Sequence, residues 1–241
     1  MHTVSPATSR SPRPGRTRLL DLAWLSALGL VVALLLLPAT RAAFVEITGR
    51  HPYAAGFLKF FVLATMGELL ARRLVARRWV SPPGLVWRAL VWGALGAVIV
   101  LVFEVFAAGV AAALAKGLLP GGTSRLAFAF FVSATMNLTF APTMMLAHRV
   151  TDTAIDLRAE RGRWDAGLAA IVSRIDWRGF VSFVLVRTIP GFWIPAHTLT
   201  FLLPPEYRVL AAALLSIALG AILALGKARG ASEPTGGRGG D

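Results

Sequence analysis

The sequence predicts an all-α fold: a polytopic membrane bundle of about six transmembrane helices with both termini on the cytoplasmic side. Three observations carry that prediction. First, 56% of the 241 residues are hydrophobic and only 15% are charged, with a mean hydropathy of +0.67. A water-soluble domain averages ~25% charged residues, so the chain has too little polar surface to coat a soluble particle. Second, six stretches approach the ~20 apolar residues that a bilayer-spanning helix needs. The alternation and turn spacing of a β-barrel are missing from them, and helices are then the structure that satisfies the backbone in lipid. Third, the cations alternate along the chain: with the N-terminus inside, 18 of the 25 Lys and Arg fall on inner segments and 5 on outer ones. That is the asymmetry of the positive-inside rule.

The elements follow in order. Residues 1–18, rich in Ser, Pro and Arg, read as a disordered basic tail. The first span, Leu19–Pro38, is free of charge from Leu22 to Leu37. The second, Tyr53–Ala71, contains Lys59 and Glu68; the third, Leu85–Ala115, carries Glu104; the fourth, Leu126–Ala147, carries no charge. Residues 148–178 form the one substantial polar connection, and Asp152, Asp156, Glu160, Arg161 and Trp164 suggest a short helix at the interface there. The fifth span, Gly179–Leu203, holds Arg187, Pro190 and Pro195, and is predicted to break beside Trp193 and His197. The sixth is Val209–Gly226, and the Gly-rich residues 229–241 read as a second disordered tail.

Several function classes are excluded. The chain has no Cys, which removes disulfides, Cys-ligated metals and thiol nucleophiles. Its four His are scattered along the sequence; with no Gly-x-Ser-x-Gly, His-Glu-x-x-His or Gly-Lys-Ser/Thr motif, no catalytic, cofactor or metal site is expected, and no enzyme. A pI near 11.7 could suggest nucleic acid, but the cations sit between apolar segments, where topology needs them. The expected partner is a bilayer with anionic headgroups; a small solute or ion, and a second copy of the chain, stay open. The expected location is a bacterial inner membrane, with an organelle membrane as the alternative.

Ionisable groups at membrane depth cost ~2.5–3.5 kcal/mol at a helix centre in insertion assays, so they usually face a partner or a wet cavity. Lys59, Glu68, Glu104, Arg187 and His197 are such groups, and Asn137 joins them as an uncharged one. At 1.5 Å per residue, Lys59 lies about 9 Å below Tyr53 and Glu104 about 24 Å above Arg88, depths that allow a pair. Arg187, about 13 Å above Arg178, is expected to snorkel toward Glu68. These six residues either line an aqueous path or fix helices in register; the sequence leaves both open. Gly93, Gly96 and the Ala-rich Ala107–Ala115 stretch permit close helix approach.

From His51 to Gly226 the chain resembles a family of small integral membrane proteins. His51-Pro52, Lys59, Thr65 and Gly67-Glu68 are similar to that family's Tyr-Pro, Lys, Thr and Gly-Asp pattern, and Phe140-Ala141-Pro142 matches its aromatic-Ala-Pro turn. Met136-Asn137 stands at its Asp-Gln pair. Near the end, Trp193, Phe201, Pro205, Tyr207 and Arg208 fit its signature, with Pro195 displaced by one residue, His197 in place of Gln and Thr200 in place of Asn. The family is that of the Mpv-seventeen and twenty-two-kilodalton peroxisomal membrane proteins, of which this sequence resembles a distant, prokaryotic-type member. The resemblance implies a four-helix unit within residues 51–228, with the span at residues 19–38 as an addition. It also implies a channel-like pore or a membrane-homeostasis factor rather than an enzyme.

Overall fold

A computed structural model of the chain describes residues 14–230, and the side chains of residues 17–222. The expected tails therefore lie largely outside the described residues; the parts of them that are described are helical.

The long helices are α1 (Pro14–Leu36), α3 (Pro52–Ala76), α4 (Leu85–Ala115), α5 (Arg125–Arg161) and α9 (Pro205–Gly230). A sixth long helix is assembled from α7 (Trp177–Gly179), a π-helix (Phe180–Trp193) and α8 (Ile194–Leu202). Six helices are thus long and apolar enough to cross a membrane, and no strand occurs among the described residues. Two shorter helices complete the chain: α2 (Pro38–Arg50) and α6 (Leu168–Arg174).

Local chemistry sets the boundaries. Proline occupies the first turn of α2 and of α3, where its missing N–H costs nothing. The Ser124 hydroxyl accepts from the Ala127 N–H and caps α5, while Gly162, with φ of 74°, ends it in the left-handed conformation.

The bundle is tightest where α3 meets α4 and α9. Gly56 and Gly96 face each other so closely that a Cβ on Gly96 would lie 2.5 Å from the Gly56 carbonyl oxygen. A Cβ on Gly67 would lie 3.1 Å from the Ile217 backbone. Small residues let backbones approach in this way when lipid supplies no hydrophobic drive between helices. The expected role of Gly93 and Gly96 holds: both are buried on the face of α4 toward α3.

Helix α1 lies against this core along Trp24, Leu28, Val31 and Leu35. It is fastened by an Asp21–Arg73 ion pair at 2.9 Å and by indole N–H bonds from Trp79 to Asp21 and from Trp24 to the Met66 carbonyl. The start of α1 and the end of α3 meet at that pair. Residues 72–88 and the extension of α5 crowd the same end of the bundle, called here the Arg-rich end.

Two expectations are corrected. Residues 148–178 are not a polar loop from their start. Helix α5 runs unbroken through His148 to Arg161, because nothing between Ala147 and Arg161 is Gly or Pro and that segment's carboxylates find partners on α4 and α6: Asp152 and Asp156 meet Arg88, and Glu160 meets Arg174. The fifth span does not break at Pro190. It stays helical from Trp177 to Leu202 and widens to π geometry instead. Proline clashes with the carbonyl of residue i−4 in an α-helix; the wider π turn, bonded i to i+5, displaces that carbonyl.

Candidate functional site

Helices α3, α4, α5, α8 and α9 and the π-helix line a cavity of about 430 Å³. Its two ends differ in chemistry. At the Arg-rich end it is lined by Glu68, Arg72, Arg88, His148, Arg149, Asp152, Thr153 and Asp156. Its middle is aromatic and thioether-rich, with Trp92, Phe140, Met144, Met145, Phe180 and Phe183. It ends at Asn137, Phe103, Trp193 and His197.

The charged end is organised around Arg88. This guanidinium is only 3% exposed and reaches Asp156 at 2.6 Å, Asp152 at 2.9 Å and Glu68 at 3.4 Å. Its Nε also donates to the Pro83 carbonyl at 3.1 Å. A buried cation needs this density of partners, since removing water from an ion costs several kcal/mol. Asp152 and Asp156 are four apart on α5 and so present one face. Arg72 holds Glu68 from the other side at 3.2 Å. His148 lies 3.7 Å from Asp152, and its ring packs on Trp92 with centroids 4.1 Å apart. A second, more polar hollow of about 510 Å³ shares Arg149, Thr153 and Asp156 with the cavity and adds Glu160, Arg174 and Asp176. It forms a vestibule to the charged end.

The closed end is neutral. The Asn137 amide donates to the Ser133 carbonyl at 2.8 Å and lies 3.0 Å from His197 Nδ1. The Ser133 hydroxyl donates to the Ile194 carbonyl at 2.7 Å, which ties α5 to α8. The His197 ring stacks on Trp193, with centroids 5.1 Å apart and planes at 24°, and meets Phe103 edge-on. Phe103 in turn packs on Phe201. No group from the far end of the bundle lines the cavity.

Several buried polar atoms in this space have no hydrogen-bond partner in the protein: Glu68 Oε2, Arg72 Nε, Trp92 Nε1, His148 Nε2 and Trp193 Nε1. An unpaired buried polar atom costs ~1–3 kcal/mol, so such a cluster calls for a reason.

Of the six residues singled out from the sequence, three line the cavity: Glu68, Asn137 and His197. The other three do not. Lys59 bonds the Thr48 hydroxyl on α2 at 3.0 Å and sits over the Phe44 ring; Phe44 stacks on Tyr207. The Lys59–Glu104 pair does not form, because Glu104 is exposed, off the buried stripe of Phe103, Ala107 and Val110. Arg187 is exposed too and does not reach Glu68, whose ion-pair partners are Arg72 and Arg88. Depth arithmetic leaves rotation about each helix axis unfixed.

The residues of the resemblance fall at structural positions. Pro52 and Pro205 open helices, Pro142 lies inside α5, Pro195 is in the first turn of α8, and Gly67 packs on α9. Arg208 lies over Phe201 and Phe128 and donates to the Leu203 carbonyl. Sequence reasoning missed Arg88, Asp152, Asp156, Trp92 and His148. The i, i+4 acidic pair on α5 was the available signal; it was given to a separate short helix at the interface instead of to the continuation of the fourth span. Comparison with protein-family models, with curated proteins and with solved structures finds no match.

Proposed function

We propose that this integral membrane protein takes a small amphiphilic solute into the cavity from the Arg-rich end, which the positive-inside rule assigns to the cytoplasm. The observation that carries this reading is the cavity's graded lining. A charged vestibule leads to aromatic and methionine walls, with unpaired polar atoms spread along them. Ligand pockets have this character, mostly apolar with a few placed polar groups, and volumes of ~300–1,000 Å³. A core that only held helices in register would have little reason to leave five polar atoms unpartnered.

The test uses N-phenyl-1-naphthylamine, an uncharged fluorescent amphiphile, with the protein in nanodiscs. Saturable binding above that of empty discs is expected. It should be lost in Met144→Trp, which fills the cavity, while the thermal midpoint holds. Binding that does not saturate, or that survives Met144→Trp, overturns the reading.

A second reading, the channel-like pore that the resemblance implies, is favoured by one feature. The end away from the Arg-rich end is lined by neutral side chains held through few bonds, Asn137 and His197. Solute flux in proteoliposomes that rises in Asn137→Ala would support it.

A further inference from the structure

We infer that the solute of this cavity is a lipophilic cation whose counter-ion is Glu68. The inference rests on the proposed cavity reading and adds the sign of the charge. Three charged side chains of the lining are the deepest: Arg88 at 3% exposure, Asp152 at 16% and Glu68 at 17%. They carry one positive and two negative charges, so the buried part of the site has one anion in excess. Farther out, Arg72 and Asp156 are 38% and 47% exposed and offset each other; the exposed Arg149 brings the whole lining to three cations and three anions, so the anionic excess is confined to its buried part.

The excess charge has an address. Both Arg72 and Arg88 approach Glu68 Oε1, while Oε2 of this cavity-lining residue is buried and has no hydrogen-bond partner in the protein. A cation beside that oxygen would complete its shell without disturbing the Arg88 cluster. The adjoining walls suit a large, weakly hydrated cation. Aromatic faces attract positive charge through their quadrupole, and Phe140, Phe180, Phe183 and Trp92 line the same space. Met144 and Met145 add polarisable, adaptable surface of the kind that accepts varied shapes. The unpaired indole N–H groups of Trp92 and Trp193 would take an uncharged acceptor on the same molecule.

Tetraphenylphosphonium and tetraphenylborate have nearly the same size and shape and opposite charge, so their ratio isolates sign from greasiness. Both are titrated into the protein in zwitterionic nanodiscs at pH 8, where an unperturbed imidazole is neutral, with empty discs subtracted. Phosphonium is expected to bind at least tenfold more tightly than borate. Glu68→Gln should reduce that preference to near parity, and Glu68→Asp should keep most of it. Parity or a borate preference in the wild type overturns the inference, as does an unchanged preference in folded Glu68→Gln. If Glu68→Gln does not fold, the wild-type ratio decides. The two readings fail separately: naphthylamine binding without phosphonium preference removes the cation alone, whereas loss of all saturable binding removes the cavity reading with it.

Discussion

Two polar clusters, Arg88 with its carboxylates and Asn137 with His197, lie in one cavity and are built on opposite terms. The Arg88 cluster is ionic and overdetermined: one guanidinium on α4 meets three carboxylates and a carbonyl drawn from α3, α5 and the turn before α4. The Asn137 cluster is neutral and joins two helices through short side chains. Charge in a poorly hydrated site forces many partners to converge, so the first cluster fixes where three helices sit. The second has little desolvation at stake, so it can part at modest cost. The same bundle thus has a fixed end and an adaptable one.

The contrast is broken most directly by Arg88→Gln. Removing one member of a buried ionic cluster costs ~3–5 kcal/mol because the remaining charges lose compensation. Here Glu68, Asp152 and Asp156 would be left facing one another. The expected outcome is a large drop in the thermal midpoint in detergent, the largest of any single change considered. A midpoint close to the wild type would mean that the carboxylates are hydrated from the vestibule, and the two ends would then be alike.

Asn137→Ala sharpens the other side. It strips His197 Nδ1 of its partner, and an unsatisfied buried group costs ~1–3 kcal/mol. Loss at the lower end of that range is expected, since the imidazole keeps its stack on Trp193. Asn137→Asp and Asn137→Ala measured together would show whether the site tolerates a charge. Much greater loss in the Asp variant is expected, since no cation lies among the partners of Asn137.

How much of this was legible in the sequence follows from the same physics. Span number and depth are one-dimensional quantities, and hydropathy reports them: the six apolar stretches correspond to the six long helices. Gly93 and Gly96 of α4 were legible because a small residue in an apolar helix permits close approach. Ion pairing was not, because it depends on how each helix is rotated. Lys59 and Glu104, given one level by the rise per residue, differ in surroundings: Lys59 meets Thr48 and Phe44, and Glu104 is exposed. Arg88 was counted only as one more inner-side cation at the start of the third span, although from the first turn of α4 its charge decides the packing. The acidic pair Asp152 and Asp156 lost its meaning once α5 was ended at Ala147. Polar residues mark the surface of a soluble helix, but here they continue a membrane helix beyond the apolar core and return charge to Arg88 on α4.

The smallest expected effect belongs to the charges that depth arithmetic had promoted. Glu104 is exposed and makes no ion pair among the described residues, and Arg187 is likewise exposed. Substitutions outside any packed or paired feature usually stay within ~0.5 kcal/mol. Glu104→Gln and Arg187→Gln should therefore leave the thermal midpoint nearly unchanged, and the double variant should equal the sum of the two, since no contact couples them. Non-additivity would show that these two charges meet in the membrane after all. The ionic order of the bundle would then extend beyond Arg88, and the division into a fixed end and an adaptable end would have to be redrawn along α4 rather than along the cavity.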